Sequence, residues 1–290
     1  MIIACSNGRE IGKSIAKELK STFSSLDVAH FPDGELNIRY LVPIKNKKII
    51  LVQTFHGNIN SQLIEVLFAA HTAKDLGAKK VTLVAPYFPY LRQDNRFRPG
   101  DCISQQAVAN LIKLHIDEIV IVDPHLHRVD SLKKIFNIES HKITADPLIA
   151  EYIKTKVNNP VIIGPDLESY QWASKTAEII GCEAATMEKT RYSARKVKSK
   201  LNKEIDLKNK TVVMVDDIIS TGHTLLEAIR NLKKLGANKF VCIGVHAVFA
   251  ENALQKLKKA GAKVISTNTI PNKTSKIDVS GEIAKVLKSS

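Results

Sequence analysis

The chain has 290 residues, of which 44% are hydrophobic and 25% charged, a composition typical of a globular protein with room for two domains. Its 43 lysines and arginines against 29 aspartates and glutamates give a formal net charge of +14, which indicates an anionic partner. That charge does not distinguish nucleic acid, a membrane surface or a phosphate metabolite. No run of 18 or more apolar residues occurs, and the apolar start is too short for a secretory signal, so we expect a cytoplasmic protein without membrane association.

The four cysteines, Cys5, Cys102, Cys182 and Cys242, lie far apart in the sequence. No C-x-x-C pair and no zinc-spaced set of histidines and cysteines occurs, so neither a disulfide framework nor a zinc site is indicated. We expect reduced thiols.

An early segment comes close to a phosphate-binding P-loop. Residues 8–14 follow an apolar run and read G-R-E-I-G-K-S, but the motif G-x-x-x-x-G-K-[ST] requires its first glycine where this chain has Asn7. We therefore predict a plain strand-to-helix turn.

Short apolar runs recur along the chain, each followed by a polar turn and a helical pattern. They cover residues 48–52, 81–85, 118–123, 161–164, 212–215, 240–245 and 263–266. Alternating strands and helices predict βαβ units and a mostly parallel sheet that is buried on both faces.

A weak internal repeat divides the chain into two similar halves. Residues 74–84 read K-D-L-G-A-K-K-V-T-L-V and residues 233–243 read K-K-L-G-A-N-K-F-V-C-I, each predicting a helix that ends at a glycine and leads into a strand. A new helix is predicted with Asp146 as its N-cap and Pro147 at its first position. The predicted fold is therefore α/β with two similar domains, residues 1–143 and 144–290, each a mostly parallel sheet flanked by helices.

The most informative segment is residues 212–224, V-V-M-V-D-D-I-I-S-T-G-H-T. It predicts a buried strand, two adjacent carboxylates, a small polar loop and a helix over residues 225–235. Ligands of open α/β sheets bind at the carboxyl ends of strands, and such a loop offers backbone N–H groups and a helix dipole to a phosphate. Two acids beside a phosphate require a sugar diol or a metal ion. The alternative is that Ser220 or Thr221 only caps the helix.

The nine residues D-D-I-I-S-T-G-H-T resemble the phosphoribosyl diphosphate loop of the type I phosphoribosyltransferase fold. The resemblance implies that Asp216 and Asp217 face the ribose hydroxyls. It also implies that the 5-phosphate is held by Ser220, Thr221, Gly222, His223 and Thr224. His223 departs from the family, whose members commonly have a small residue there.

Four further segments decide between members of that fold. They are F-P-D-G-E at 31–35, P-Y-F-P-Y-L-R-Q-D at 86–94, D-P-H at 123–125 and G-P-D at 164–166. Taken singly, they are also explained by a turn, core aromatic residues, a structural histidine and a helix cap. Together with the loop, and in this order, they resemble the motif set of the ribose-phosphate pyrophosphokinases.

That resemblance implies an ATP site and a magnesium site. The residues implied for ATP are Phe31, Asp33, Gly34 and Glu35, reached from a neighbouring subunit of a homo-oligomer, and Arg92, Gln93, Asp94 and His125. His125 and Asp166 are implied for Mg²⁺. In the family, further glycines usually follow G-P-D, whereas Leu167 follows it here.

Residues 187–192, M-E-K-T-R-Y, follow a predicted strand over 182–186 and by themselves predict a solvated loop. In the family context, Lys189 and Arg191 match the K-x-R of a mobile catalytic loop, and Arg191 is also implied for ribose 5-phosphate. Cations are needed where charge accumulates during pyrophosphoryl transfer.

The resemblance thus implies an enzyme that transfers the pyrophosphoryl group of Mg·ATP to ribose 5-phosphate. The alternatives are a base phosphoribosyltransferase, a non-catalytic regulatory member of the pyrophosphokinase family, and a nucleic-acid-binding regulator. We expect no nucleic-acid partner, because no recognisable helix-turn-helix, zinc-finger or RNA-binding motif occurs.

Overall fold

The computed structural model describes residues 1–126, 128–129, 131–165, 169–193 and 196–289, and for residues 170–172, 188–193 and 196–200 it describes only the backbone. Within these ranges the chain forms two compact units, one of residues 1–144 with 279–290 and one of residues 145–278. No described helix has both the length and the apolar character needed to cross a membrane.

The strands of the described residues form two seven-stranded sheets. The strands are β1 Ile2–Ala4, β2 Phe23–His30, β3 Leu36–Tyr40, β4 Lys48–Val52, β5 Lys80–Ala85, β6 Glu118–Val122, β7 Glu139–Ile143, β8 Pro160–Gly164, β9 Ala184–Ser193, β10 Lys196–Leu201, β11 Thr211–Ile219, β12 Lys239–Ala247, β13 Ala262–Thr267 and β14 Ser275–Ile277.

Helices lie between most of these strands. They are α1 Arg9–Leu19, α2 Ile59–Asp75, α3 Ser104–Ile112, α4 Leu132–Phe136, α5 Asp146–Lys156, α6 Tyr170–Ile180, α7 His223–Lys234, α8 Ala253–Lys259 and α9 Ser280–Ser289, with a 3₁₀ turn at Ala250–Asn252.

The two sheets have the same topology. The first has the order β3-β2-β1-β4-β5-β6-β7 and the second β10-β9-β8-β11-β12-β13-β14. In each sheet the hairpin at one edge, β2–β3 or β9–β10, is antiparallel, and all the other neighbours are parallel. The α/β fold, the mostly parallel sheets and the two similar halves are thus confirmed.

Continuous apolar runs explain why the central strands pair in parallel. All five residues of β6 are buried, and β12 is buried from Phe240 onward, as expected for strands covered by helices on both faces. The repeat seen in the sequence corresponds to α2–β5 and α7–β12. Gly77 and Gly236 follow these helices with φ of 82° and 92°, left-handed values that favour glycine.

The turn after β1 is the predicted strand-to-helix turn. Gly8 directly precedes α1, and a Cβ atom there would lie 1.8 Å from the carbonyl oxygen of Val52 at the end of β4. The glycine is therefore required for close contact between two backbones.

Among the boundaries that differ from the sequence predictions, three concern the domains and the central strand. Asp146 is the first residue of α5 and Ala145 its N-cap, one residue earlier than predicted for the cap. Strand β11 extends to Ile219, past both predicted acids, because β12 pairs with it as far as Ala247. The last residues, predicted to belong to the second domain, join the first unit because α9 buries Ile283 and Ala284 and packs on α1 and β7.

Candidate active site

The carboxyl end of β11 carries the two predicted acids. Asp216 pairs with Gly244 of β12 in the parallel ladder, and both Asp216 and Asp217 are half-buried. The ladder with β8 on the other side covers only residues 211–213, so the acid-bearing end of β11 extends beyond it. Burial raises the pKa of the Cys242 thiol to about 12, and the negative charge of Asp216 contributes to this shift.

The polar loop leads directly into α7. Gly222 is the N-cap, with φ of 70°, and no side chain caps the helix. The helix is anchored by its buried face, Leu225, Ala228, Ile229 and Leu232, which has the spacing of an amphipathic helix. An N-terminus without a side-chain cap presents backbone N–H groups and a partial positive charge, as a phosphate site requires.

His223 differs from its prediction in position. The predicted helix begins at residue 225, whereas α7 begins at His223 itself. The imidazole is 71% exposed, and its Nε2 lies 4.0 Å from Oε2 of Glu251. The side chain therefore does not crowd the loop, and only the backbone of His223 lies at the helix N-terminus with the other predicted loop residues.

The equivalent edge of the first sheet is filled by its own side chains. Glu65 of α2 is 3% exposed and accepts hydrogen bonds from Ser6, at 2.7 Å from the backbone N–H and 2.6 Å from the hydroxyl. Gln53, directly after β4, accepts from the N–H of Asn7 at 2.9 Å and donates to the Ser6 hydroxyl at 3.2 Å. Of the two similar edges, the second is therefore the candidate for a sugar phosphate.

The predicted adenosine turn closes the β2–β3 hairpin. The Phe31 N–H donates to the Glu35 carbonyl at 2.8 Å, and the Glu35 N–H donates to Oδ1 of Asp33 at 3.2 Å. Gly34 has φ of 93°, which explains the glycine. Every residue of the turn is exposed, including Phe31 at 52%, so a large aromatic side chain faces outward at the tip of a hairpin.

The segment after β5 is partly core and partly surface. Phe88 is buried and contacts the rings of Phe55 and Phe136 edge to face, with centroids 5.4 and 5.3 Å apart. For this residue, the alternative explanation as a core aromatic side chain is therefore correct. Arg92 and Gln93 are exposed. Gln93 accepts a hydrogen bond from the Ser104 hydroxyl at 2.6 Å, which ties this segment to the start of α3.

Asp94 links this segment to the loop that carries His125. Its carboxylate Oδ1 lies 2.6 Å from Nη1 of Arg128, and its side chain is only 8% exposed. Arg128 was not among the predicted residues, because nothing in the sequence pairs it with Asp94. The ion pair brings two of the predicted ATP segments together.

Strained backbone lies beside both segments. Tyr90 has φ of 65° and Asp123 has φ of 34°, values uncommon for residues with a side chain. They precede Arg92 and His125 by two residues each. Such strain is often found where a loop is shaped for a ligand.

Comparison with known proteins identifies the family. Residues 1–115 match the model of the N-terminal domain of ribose phosphate pyrophosphokinase, and residues 131–281 match that of the phosphoribosyl transferase domain. The ribose-phosphate pyrophosphokinase of Methanothermobacter thermautotrophicus is 37% identical over 290 residues, covering 99% of this chain and 100% of that protein. The chain belongs to the ribose-phosphate pyrophosphokinase family.

Two further comparisons agree with this membership. The ribose-phosphate pyrophosphokinase of Pyrococcus furiosus is 37% identical over 92% of this chain and 94% of its own length. The crystal structure of phosphoribosylpyrophosphate synthetase from Mycobacterium smegmatis matches with a TM-score of 0.87 and 28% identity, covering 100% of this chain and 97% of that one.

The K-x-R residues predicted to form a loop lie in a strand instead. Lys189 and Arg191 belong to β9, where they pair with Ser199 and Val197 of β10 in an antiparallel hairpin. The hairpin is the counterpart of β2–β3 in the first sheet, so the K-x-R strand and the F-P-D-G-E turn belong to equivalent edge elements. Asp166, predicted for Mg²⁺, lies outside the described residues.

Proposed function

We propose that this chain transfers the pyrophosphoryl group of Mg·ATP to the 1-hydroxyl of ribose 5-phosphate, giving phosphoribosyl diphosphate and AMP. The observation that carries the proposal is the asymmetry between two similar sheet edges. One edge carries Asp216, Asp217 and a helix N-terminus without a side-chain cap, whereas the other is filled by Glu65 and Gln53. The full-length similarity to enzymes named ribose-phosphate pyrophosphokinase favours this reaction over base phosphoribosyl transfer.

In this proposal the sugar phosphate is held by one continuous segment. Asp216 and Asp217 accept hydrogen bonds from the ribose hydroxyls, and the loop over Ser220, Thr221, Gly222, His223 and Thr224 holds the 5-phosphate. The support is electrostatic: carboxylates suit a diol, and the start of α7 suits a dianion. An anionic pair of substrates also accounts for the net charge of +14 without a nucleic-acid partner.

ATP is proposed to contact three segments of the first unit. Arg92, Gln93, Asp94 and His125 belong to two of these, which the Asp94–Arg128 ion pair joins. In this arrangement Asp94 positions the loop while the exposed Arg92 and Gln93 face the nucleotide. The third segment is the turn of Phe31, Asp33, Gly34 and Glu35, proposed to reach the ATP site of a neighbouring subunit in a homo-oligomer. An outward-facing Phe31 supports this role, because aromatic side chains stack well on purine rings.

Asp166 and His125 are proposed to hold the magnesium ion of Mg·ATP, which would neutralise charge on the phosphate oxygens when bound. Mg²⁺ prefers oxygen ligands, so the carboxylate of Asp166 would contact it directly. The imidazole of His125 would contact the ion or a phosphate of ATP.

The reaction requires in-line attack of the sugar's 1-hydroxyl oxygen on the β-phosphorus. The bond from that phosphorus to the oxygen bridging it to the α-phosphate breaks, and AMP leaves. Lys189 and Arg191 are proposed to stabilise the negative charge that develops on the transferred group, and Arg191 also to contact the sugar phosphate. Much of the acceleration comes from holding the two substrates together.

We also propose that the reaction takes place in the cytoplasm. All four cysteines are free, and both Cys5 and Cys242 are buried as thiols. Free thiols are typical of a reducing compartment.

The direct test is incubation with ATP, Mg²⁺ and ribose 5-phosphate. We expect AMP to form only when the sugar phosphate is present. Formation of ADP, or no reaction, would overturn the proposal. Release of pyrophosphate from phosphoribosyl diphosphate and a free base, without AMP formation from ATP, would indicate a base phosphoribosyltransferase.

A variant of Asp216 tests the proposed contact with the ribose hydroxyls. Asp216→Asn should raise KM for ribose 5-phosphate by about ten-fold or more, because a hydrogen bond to a charged group contributes about 1.5–3 kcal/mol. Asp206→Asn, at an exposed acid of the same unit, is the matched control and should leave KM unchanged.

Sharing of the ATP site can be tested by complementation. Phe31→Ala and Lys189→Ala chains are each expected to be nearly inactive alone. Hetero-oligomers made by co-expression should regain activity, because some sites then combine an intact turn with an intact Lys189. No recovery in hetero-oligomers of verified composition would contradict sharing.

A further inference from the structure

Three metal-ligating side chains meet at the amino-terminal edge of the first sheet, opposite the turns that follow β1 and β4. Glu118 and Glu139 are the first residues of β6 and β7 and pair in register, while His141 lies two residues further along β7. Successive side chains alternate across a sheet, so all three lie on one face. One ligand atom from each lies within 4.8 Å of those of the other two.

The two oxygens of each carboxylate contact different neighbours. The ammonium Nζ of Lys80 lies 2.9 Å from Oε2 of Glu118 and 3.0 Å from Oε2 of Glu139. The hydroxyl of Thr82 also donates to Oε2 of Glu118, at 2.7 Å. The Oε1 atoms of the same carboxylates face His141, whose Nε2 lies 2.9 Å from Glu118 Oε1 and 3.6 Å from Glu139 Oε1.

The closest contact of His141 is not a hydrogen bond. Its Nε2 is buried and has no hydrogen-bonding partner among the described residues, although Oε1 of Glu118 is only 2.9 Å away. The two atoms are within ion-pairing distance but are not aligned as donor and acceptor. Two ligand atoms of the same cation also lie close together without forming a hydrogen bond, because each is directed at the metal and not at the other.

The separations of His141 Nε2 from the two carboxylate oxygens, 2.9 and 3.6 Å, are close to those around one small cation. Nitrogen and oxygen ligands lie about 2.0–2.2 Å from zinc, so neighbouring ligand atoms around it are about 3–3.5 Å apart. The charge also fits, since two carboxylates outweigh one ammonium beside the imidazole. Lys80 contacts Oε2 of both carboxylates, whereas Oε1 of each lies on the side of His141.

We propose that Glu118, Glu139 and His141 form a binding site for a divalent transition-metal ion of the zinc class, with Lys80 and Thr82 orienting the carboxylates from behind. One imidazole and two carboxylates suit Zn²⁺, with water completing the coordination. Mg²⁺ prefers an all-oxygen environment, so millimolar magnesium does not compete at this site. The rival explanation is a purely structural ion-pair cluster that holds β5, β6 and β7 together and binds no metal.

The test measures zinc bound to the full chain in the presence of millimolar Mg²⁺. Metal-stripped protein should take up one equivalent of Zn²⁺, and Co²⁺ at the same site should give a visible d–d absorption band. His141→Gln should weaken binding by about ten-fold or more, since the loss of even an outer partner costs 10–100-fold. Glu139→Gln, at a half-exposed carboxylate, should also weaken zinc binding.

His71→Gln is the matched control. The ring of His71 lies edge to face with that of His115, with centroids 4.8 Å apart, so this pair is a second group of imidazoles in the same unit. Zinc binding should be unchanged in this variant. Three results would overturn the proposal: no binding by the wild-type chain, equal binding by wild type and by His141→Gln of unchanged circular dichroism, or loss only in His71→Gln.

Discussion

Ser6 and Glu65 are joined by two hydrogen bonds, from the Ser6 backbone N–H to Oε1 at 2.7 Å and from the Ser6 hydroxyl to Oε2 at 2.6 Å. The carboxylate thus lies at the edge of the first sheet that corresponds to the candidate sugar phosphate edge of the second. The side chain of Glu65 accepts the hydrogen bonds of N–H and O–H groups that a bound phosphate would otherwise accept. The same architecture is used once as a packed support and once as a candidate site.

Replacing Glu65 with Gln should destabilise the protein. The amide cannot accept both bonds from Ser6, and an unsatisfied buried polar group costs about 1–3 kcal/mol. The midpoint of urea unfolding should fall accordingly. Glu282→Gln, at a surface carboxylate paired with Lys285, is the control and should change the free energy of unfolding by about 0.5 kcal/mol or less. Equal midpoints for both variants would contradict the structural role of Glu65.

Lys189→Ala should lower kcat by about 10²-fold or more, because removal of one charge-stabilising group in a transition state has this effect. KM for ATP and ribose 5-phosphate should change little, since the lysine is proposed to act on the transferred group. Steady-state AMP formation measures both constants. Lys208→Ala, at an exposed lysine of the same unit, should match wild type. Turnover near wild type in Lys189→Ala would refute the catalytic assignment.

His223→Ala should change KM for ribose 5-phosphate by less than about three-fold, equivalent to less than 1 kcal/mol. Its imidazole is exposed and near Glu251, so only its backbone N–H is expected to meet the phosphate. Gly222→Ala is the contrasting variant. A side chain at φ of 70° costs about 1–2 kcal/mol and should distort the loop, raising KM much more. The reverse order of effects would assign the contact to the imidazole.

His115 should make stability depend on pH. Burial, followed by the nearby His71 and Lys74, lowers the pKa of His115 below its ordinary value of 6.5. Well above pH 6.5 the imidazole is neutral in both folded and unfolded chains. Below it, the unfolded chain binds the proton first, so the free energy of unfolding falls as the pH decreases toward the folded-state pKa.

The variant His115→Gln removes this contribution. The loss of Tm between about pH 7.5 and pH 5.5 should therefore be smaller than in wild type. His30→Gln, at an exposed histidine of the same unit, is the control. An identical pH profile in wild type and His115→Gln would contradict the prediction.

Local patterns in the sequence determined much of this protein. The seven apolar runs became strands because strands of a parallel sheet are buried on both faces and each run has the length of a strand. The segment 212–224 also identified a candidate sugar phosphate site by itself, because all its groups are contiguous along the chain.

Only the tertiary structure decided how distant residues combine. The extension of β11 to Ile219 depends on β12 as its partner, and Arg128 reaches Asp94 only across two loops. Glu65 and Gln53, from different elements, fill the edge of the first sheet. The internal repeat alone would predict that this edge is equivalent to that of the second sheet. Likewise, Glu118 and His141 meet through the register of β6 and β7, since strand pairing joins residues that no spacing in the sequence connects.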